Sequence, residues 1–422
     1  MGVPIVDYKT LNWVQQRTQK SAPQKEKPPA RKTTLSAPGV ASNAQSIGRP
    51  VRLEEPVDVA VQPMDRTLLG VTLALVGIGA VMVYSSSTVI AAAKFDSPTF
   101  FMIRQLVRAI VGVFLLVIAL RVPLEALRRK APLLLLVAFA LLLVPLAVNI
   151  AHRGARSWIH VLGLTFQPSE LMKFVLILFL ADRLARQQER LSSFANGLLP
   201  HLLILGLALG LIVLEPDLGT AVAITFVVGA IMVAARVRSR HLILIALLAA
   251  AATTLLILAE PYRVKRLTPG YQIQQGFVAF GSGGVFGRGL GRSLQKFFFL
   301  PEPYTDSIFP IIGEELGLLG TLGVLALFSV FGWRGMLIAR RQPTLFGFLL
   351  AVGLTANVMV YATLNIAVTT GLIPATGLPL PFISYGGSSL VLNLAAAGIL
   401  LNLSRSYRKE KADSVLRKGI PR

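Results

Sequence analysis

Ten apolar runs, each near the ~20 residues that a helix needs to cross hydrocarbon, decide what this chain can become. They fall at about 67–91, 105–122, 131–150, 168–186, 197–214, 218–236, 241–260, 307–338, 344–368 and 383–404. Backbone groups in a bilayer must bond internally, so such runs become helices. The expected fold is all-α, a polytopic membrane protein of about ten transmembrane helices. A chain that is 54% hydrophobic with mean hydropathy +0.66 agrees. The fourth run is interrupted by Glu170, Lys173 and Asp182. The connection from Thr370 to Ser388 is rich in Gly and Pro and cannot be one regular helix.

The net charge of +22 would suggest nucleic acid in a soluble protein. Here Lys and Arg cluster beside the apolar runs, the pattern of cytoplasmic loops in contact with anionic membrane lipids. No nucleic-acid partner is expected. Residues 1–65 read as a disordered basic cytoplasmic tail, 66–404 as the membrane domain and 405–422 as a second basic tail. Alternate short loops carry Arg128, Arg129 and Lys130, then Arg183 and Arg186, Arg236 to Arg240, and Arg340 with Arg341. Both termini are therefore expected in the cytoplasm, and the large loop from about 261 to 306 outside. There is no Cys, so no disulfide or thiolate site, and the four His lack metal-ligand spacing.

That outer loop is basic, with Arg263, Arg266 and Lys296 among its residues. Long loops translocate regardless of charge; an anionic ligand is the functional alternative. The loop ends at Asp306, which either caps the next helix, with Pro310 in its first turn, or presents a carboxylate at the membrane surface. Glu314 and Glu315 follow inside the apolar run, where each charge costs ~2.5–3.5 kcal/mol; they are expected to support the site from beneath. The Gly-rich stretch 281–291 lacks the strand–turn–helix setting of a nucleotide loop and reads as close packing or a re-entrant turn. Three further polar breaks suggest one outer cavity. The first holds Gln167 with Glu170 and Lys173, which share a helix face at i,i+3; the second is Glu215 to Thr220; the third contains Ser384.

Taken together, these residues resemble the SEDS family (shape, elongation, division and sporulation) from about Asp65 to Leu403. The matching motifs include Tyr84-Ser-Ser, Gly154-Ala-Arg-Ser-Trp158, Phe166-Gln-Pro-Ser-Glu170, Pro216-Asp-Leu-Gly-Thr220 and Gly270-Tyr-Gln-Ile. Leu300-Pro-Glu, Thr305-Asp306, Gly313-Glu-Glu-Leu-Gly317 and Ile383-Ser-Tyr-Gly-Gly-Ser388 complete them. Asp65-Arg-Thr-Leu68 and Ala259-Glu-Pro-Tyr-Arg263 look most like members that act in cell division, with elongation members the near alternative. The resemblance implies a peptidoglycan glycosyltransferase that polymerises lipid II at the outer face of the cytoplasmic (inner) membrane, at the division septum. It implies Asp306 as the essential acid, and as partners a class B penicillin-binding protein and other division-complex proteins. Substrate-binding candidates are Arg156, Gln167, Glu170, Lys173, Arg263, Arg266, Lys296 and Ser384. The leaving pyrophosphate needs a divalent cation (Mg2+ or Mn2+) or Arg and Lys beside it. Three departures stand out: Tyr304 where His is usual, Ser307 where Phe is usual, and Thr268-Pro-Gly270 in place of a longer loop segment. A flippase for lipid-linked precursors is the competing class. Its site would lie at the bilayer midplane, whereas Asp306 lies at the outer boundary.

Overall fold

Every apolar run of the sequence becomes a helix. The computed structural model describes residues 63–148, 157–161, 164–266, 268 and 270–418, so the N-terminal tail up to residue 62 and Arg156 lie outside the described residues. The helices are α1 (Arg66–Phe95), α2 (Phe100–Ala119), α3 (Leu124–Val148), α4 (Pro168–Arg186), α5 (Leu199–Leu214) and α6 (Leu218–Ala234). There follow α7 (Ser239–Leu258), the short α8 (Pro261–Lys265) and α9 (Tyr271–Gly283), then α10 (Ile308–Arg340), α11 (Leu345–Thr369) and α12 (Gly387–Lys418). Among the described residues eight helices are long and apolar enough to cross a membrane, α5 counted together with the π-helical turn Phe194–Leu198 that precedes it. The remaining two runs are α6, slightly short, and α4, which carries charges. The all-α expectation gains one small addition, a hairpin of β1 (Ile159–Val161) and β2 (Leu164–Phe166) in antiparallel register. The last helix runs on to Lys418, into the stretch expected to be a tail.

Burial sorts the helices by role. In α11, 72% of the membrane-length window is buried, and α4 is buried on most of its surface, so these two form the centre. In α7 the figure is 6%, with only His241 buried, which puts that helix at the periphery. The charges that interrupt α4 face protein and not lipid, as intramembrane charges must. Asp182 accepts from Arg128 at 2.5 Å and from Arg186 at 2.7 Å. At one end of the bundle, Asp65 caps α1 through Leu68 N–H (2.9 Å) and pairs with Arg334 of α10 at 2.6 Å. That pair fixes α1 and α10 as antiparallel neighbours.

Helix α10 is broken at Gly317, whose φ of 69° no β-carbon-bearing residue adopts comfortably. The break is repaired by the Gly-rich stretch, which folds back into the bundle as a re-entrant turn. Arg288 and Gly289 donate their N–H groups to the carbonyls of Glu314 and Glu315 (2.9 and 3.0 Å). In return, Leu318 and Leu319 donate to the carbonyls of Gly284 and Val285 (2.9 and 3.2 Å). Non-helical backbone at membrane depth survives only when protein satisfies it in this way. Glycine is required for the fit: a β-carbon on Gly287 would lie 2.2 Å from the Glu315 carbonyl oxygen.

Candidate active site

Asp306 sits at the turn into α10, and the structure separates the two readings of it. The cap position is Ser307, and no side chain caps the helix there. The Asp306 carboxylate accepts instead from Gln272 Nε2 of α9 (3.3 Å) and from the hydroxyls of Thr305 (3.3 Å) and Ser307 (3.4 Å). It is therefore not a helix cap. It opens onto a cavity of about 240 Å3 lined also by Lys265, Arg266, Tyr271, Gln272 and Gly377. Burial pushes its pKa above the ordinary aspartate value, nearby Glu302 adds to the rise, and the Gln272 bond opposes it. The result is a carboxylate with raised proton affinity facing two cations across a small cavity.

The backbone of Asp306 is held as firmly as its side chain is exposed to the cavity. Asn365 of α11 donates through one Nδ2 to the carbonyls of both Asp306 (2.8 Å) and Leu378 (2.7 Å). This places the Gly- and Pro-rich segment against the acid, with Gly377 beside its carboxylate. A buried amide inside an apolar helix is the signal that would have singled out Asn365. Gln272 and Lys265 had weaker signals, one inside a quoted motif and one in the basic loop.

Glu314 and Glu315 lie about 10 Å deeper, at 1.5 Å per residue along α10. They hold the re-entrant turn. Glu314 accepts from Ser293 Oγ (2.5 Å), Leu294 N–H (2.9 Å), Gln295 N–H (3.3 Å) and Ser282 Oγ (3.3 Å). Glu315 accepts from Ser85 Oγ of α1 (2.6 Å) and pairs with Lys296 at 3.7 Å. Lys296 thus turns inward, its ammonium also bonded to the Gly291 carbonyl, and does not line the Asp306 cavity. Arg263 bonds the Leu256 carbonyl (2.8 Å) and lies outside that lining too. Of the three basic candidates, the structure brings Arg266 to the acid.

The second polar group is a compact buried cluster. Lys173 pairs with Glu170 at 2.8 Å and lies 3.9 Å from the centre of the Tyr361 ring. Gln167 Nε2 donates to Asp217 (2.9 Å), which itself caps α6 through Thr220 N–H (3.0 Å). Both Glu170 and Lys173 are buried by protein. In the same polar region, Glu215 is fully buried and neither carboxylate oxygen has a hydrogen-bond partner among the described residues. Burial, with Asp217 adding repulsion, pushes its pKa up to about 8. Ser384 is also buried and accepts from Leu380 N–H (2.8 Å), bracing the turn before α12. Of the departures, Tyr304 packs its ring against Phe101 (4.4 Å) and Tyr385 (5.7 Å), and Ser307 takes a bond from Gln272 (2.7 Å).

Residues 66–409 match the family of cell cycle proteins comprising FtsW, RodA and SpoVE. The chain belongs to this family. Stage V sporulation protein E of Bacillus subtilis is 43% identical over 82% of this chain and 98% of its own length. A probable peptidoglycan glycosyltransferase FtsW of Geobacter sulfurreducens is 40% identical over 82% of this chain and 96% of its own. Among solved structures, a chain from a peptidoglycan synthase complex that coordinates polymerization and crosslinking aligns with TM-score 0.68 at 28% identity. It covers 82% of this chain and 98% of that one. The rod shape determining protein RodA of Thermus thermophilus aligns with TM-score 0.63 at 28% identity, over 81% and 97%. This member of the FtsW/RodA/SpoVE family is accordingly a multi-pass membrane protein.

Proposed function

We propose that this chain is a peptidoglycan glycosyltransferase that polymerises lipid II at the outer face of the cytoplasmic membrane, with Asp306 as general base. The observation that carries the reading is the Asp306 carboxylate, not spent on capping, facing Lys265 and Arg266 across one cavity. A sugar hydroxyl on the acceptor attacks the anomeric carbon of the donor and gives its proton to Asp306. The bond from that carbon to the lipid pyrophosphate breaks, and its electron pair leaves with the pyrophosphate. A base is most effective when its pKa approaches the working pH, so the upward shift favours the role, which is worth typically 10²–10⁴-fold. Arg266 and Lys265 would meet the charge that develops on the leaving group.

Among the described residues no three ligand-type side chains gather into a metal cage. Mg2+ in particular is commonly held by one or two carboxylates together with substrate phosphates. Glu302, whose carboxylate takes a bond from the Thr305 hydroxyl (3.5 Å), supplies one such carboxylate beside the Asp306 base and leaves that base free for the proton. A divalent cation, Mg2+ or Mn2+, would neutralise charge on the pyrophosphate there.

We further propose a division role at the septum, both termini in the cytoplasm, and a class B penicillin-binding protein as the crosslinking partner. Likeness to a chain of a peptidoglycan synthase complex supports the partner. The B. subtilis sporulation relative and the RodA structure support a second reading, in which the same chemistry serves sporulation or elongation. Lipid II polymerisation by the purified chain, alone and with that transpeptidase, tests the activity. Glycan strands in either arm support it, and their absence in both refutes it.

A further inference from the structure

We propose that Arg108 and the first turn of α12 form a binding site for a phosphate-class oxyanion carried by a lipid. Arg108 lies on α2, two turns in from Phe101, and is 9% exposed. One guanidinium nitrogen, Nη2, reaches the Thr165 hydroxyl of β2 at 3.5 Å. The guanidinium carbon sits 4.6 Å from the centre of the Tyr385 ring. The other nitrogen, Nη1, is buried and has no partner among the described residues. Among the described residues no carboxylate pairs with Arg108.

The position of that charge is unfavourable as it stands. A β-carbon on Gly387, the first residue of α12, would lie 3.7 Å from the Arg108 guanidinium carbon. A cation is thus buried against a helix N-terminus, which carries roughly +0.5 of a charge from its own dipole. Where α1, α6 and α11 each have a side-chain cap in Asp65, Asp217 and Thr344, the residue before α12 is Gly386, which has none to offer. A buried charge without a partner is costly, and here the nearest dipole adds to the cost. An oxyanion held by Arg108 Nη1 beside the first turn of α12, where the Thr165 carbonyl and hydroxyl also approach Gly387, would offset both terms. Tyr385 and Gly387 are partly exposed, leaving the site open at that edge.

The site neighbours the proposed catalytic acid. Tyr385 N–H donates to the Tyr304 carbonyl (2.8 Å), and Tyr304 lies two residues before Asp306. The inference rests on the glycosyltransferase reading only in its preferred occupant, the pyrophosphate of a lipid-linked sugar. A phospholipid head group has the same chemistry and is the other source.

The test is binding to the full chain in nanodiscs of zwitterionic lipid, read by calorimetry and by Tm. One arm adds farnesyl pyrophosphate; the other replaces part of the bilayer with phosphatidylglycerol. Wild type should gain Tm in at least one arm, and the arm that responds assigns the source. Arg108→Gln should weaken that binding by about tenfold or more, the loss of a charge-assisted hydrogen bond, while Arg108→Lys retains most of it. If Arg108→Gln cannot be purified, Gly386→Asp serves: its carboxylate should raise the Tm without ligand and abolish the response to the oxyanion. No response in either arm, or wild-type affinity in Arg108→Gln or Gly386→Asp, overturns the proposal. Repeating the binding in Asp306→Asn keeps the two ideas apart, because that variant should still bind although it polymerises nothing.

Discussion

Glu314 braces the re-entrant turn, so truncating it should cost stability. Four donors converge on its carboxylate, two hydroxyls and the N–H groups of Leu294 and Gln295. In Glu314→Ala the hydroxyls of Ser282 and Ser293 can rotate to other acceptors, since Ser282 already bonds the Ala279 carbonyl at 3.0 Å. The two backbone N–H groups cannot, and each buried donor left unsatisfied costs about 1–3 kcal/mol. The expected loss is therefore about 4 kcal/mol. At about 1.4 kcal/mol per decade, that opens the re-entrant turn nearly a thousandfold more often. Glu314→Gln keeps one acceptor oxygen and should lose about half as much. Thermal unfolding in detergent gives the stability, and protease cleavage within residues 284–300 gives the opening. A Glu314→Gln protein with wild-type Tm and intact turn but no polymerase activity would refute the reasoning and make Glu314 a catalytic candidate.

Other expectations follow from the same contacts. Asn365→Leu frees the Asp306 and Leu378 carbonyls together, so kcat for lipid II should fall at least tenfold with KM little changed; an unaltered kcat would remove Asn365 as a positioning residue. Lys173→Met strands Glu170 as a buried charge and should cost about 3–5 kcal/mol, while adding Glu170→Gln should recover most of it. If the double variant is stable yet cannot bind lipid II, the cluster touches substrate. Glu215 has a raised pKa, so the stability it contributes is complete below about 4.5 and lost as pH rises through about 8. Glu215→Gln should raise Tm at neutral pH and remove that decline; a decline that persists unchanged assigns it to another group.

How far the sequence could be read differs between fold and site. Each apolar run announced its helix, because the cost of unsatisfied backbone in lipid leaves no other outcome. The re-entrant turn was legible in the glycines of 281–291, and the irregular 370–386 segment in its Gly and Pro content. Pairing was not legible. Lys296 looked like an outward cation, yet it folds back on Glu315, 19 positions on, and no local periodicity encodes that return. Glu170 and Lys173 shared a helix face, but only the burial of α4 among α3, α6, α11 and α12 shows that this face meets protein. Capping chemistry suggested Asp306 for the helix start because Asp is a good cap. The helix begins one residue later, and that offset is what releases the carboxylate. Asn365, one of two buried amides in an apolar helix beside Asn357, was missed although its amide had no solvent to meet.

Proton transfer to Asp306 is probed most directly by Asp306→Asn. Asn is as good a cap as Asp and keeps an acceptor oxygen for Gln272, but it cannot take a proton at neutral pH. Because burial disfavours the charged form, the neutral variant should be at least as stable as wild type at pH 7. The measurement is the rate of glycan formation from lipid II by purified Asp306→Asn, beside its Tm. An intact, stable protein whose rate falls by about 10²–10⁴-fold is expected. Glycan strands of wild-type length at the wild-type rate would contradict it.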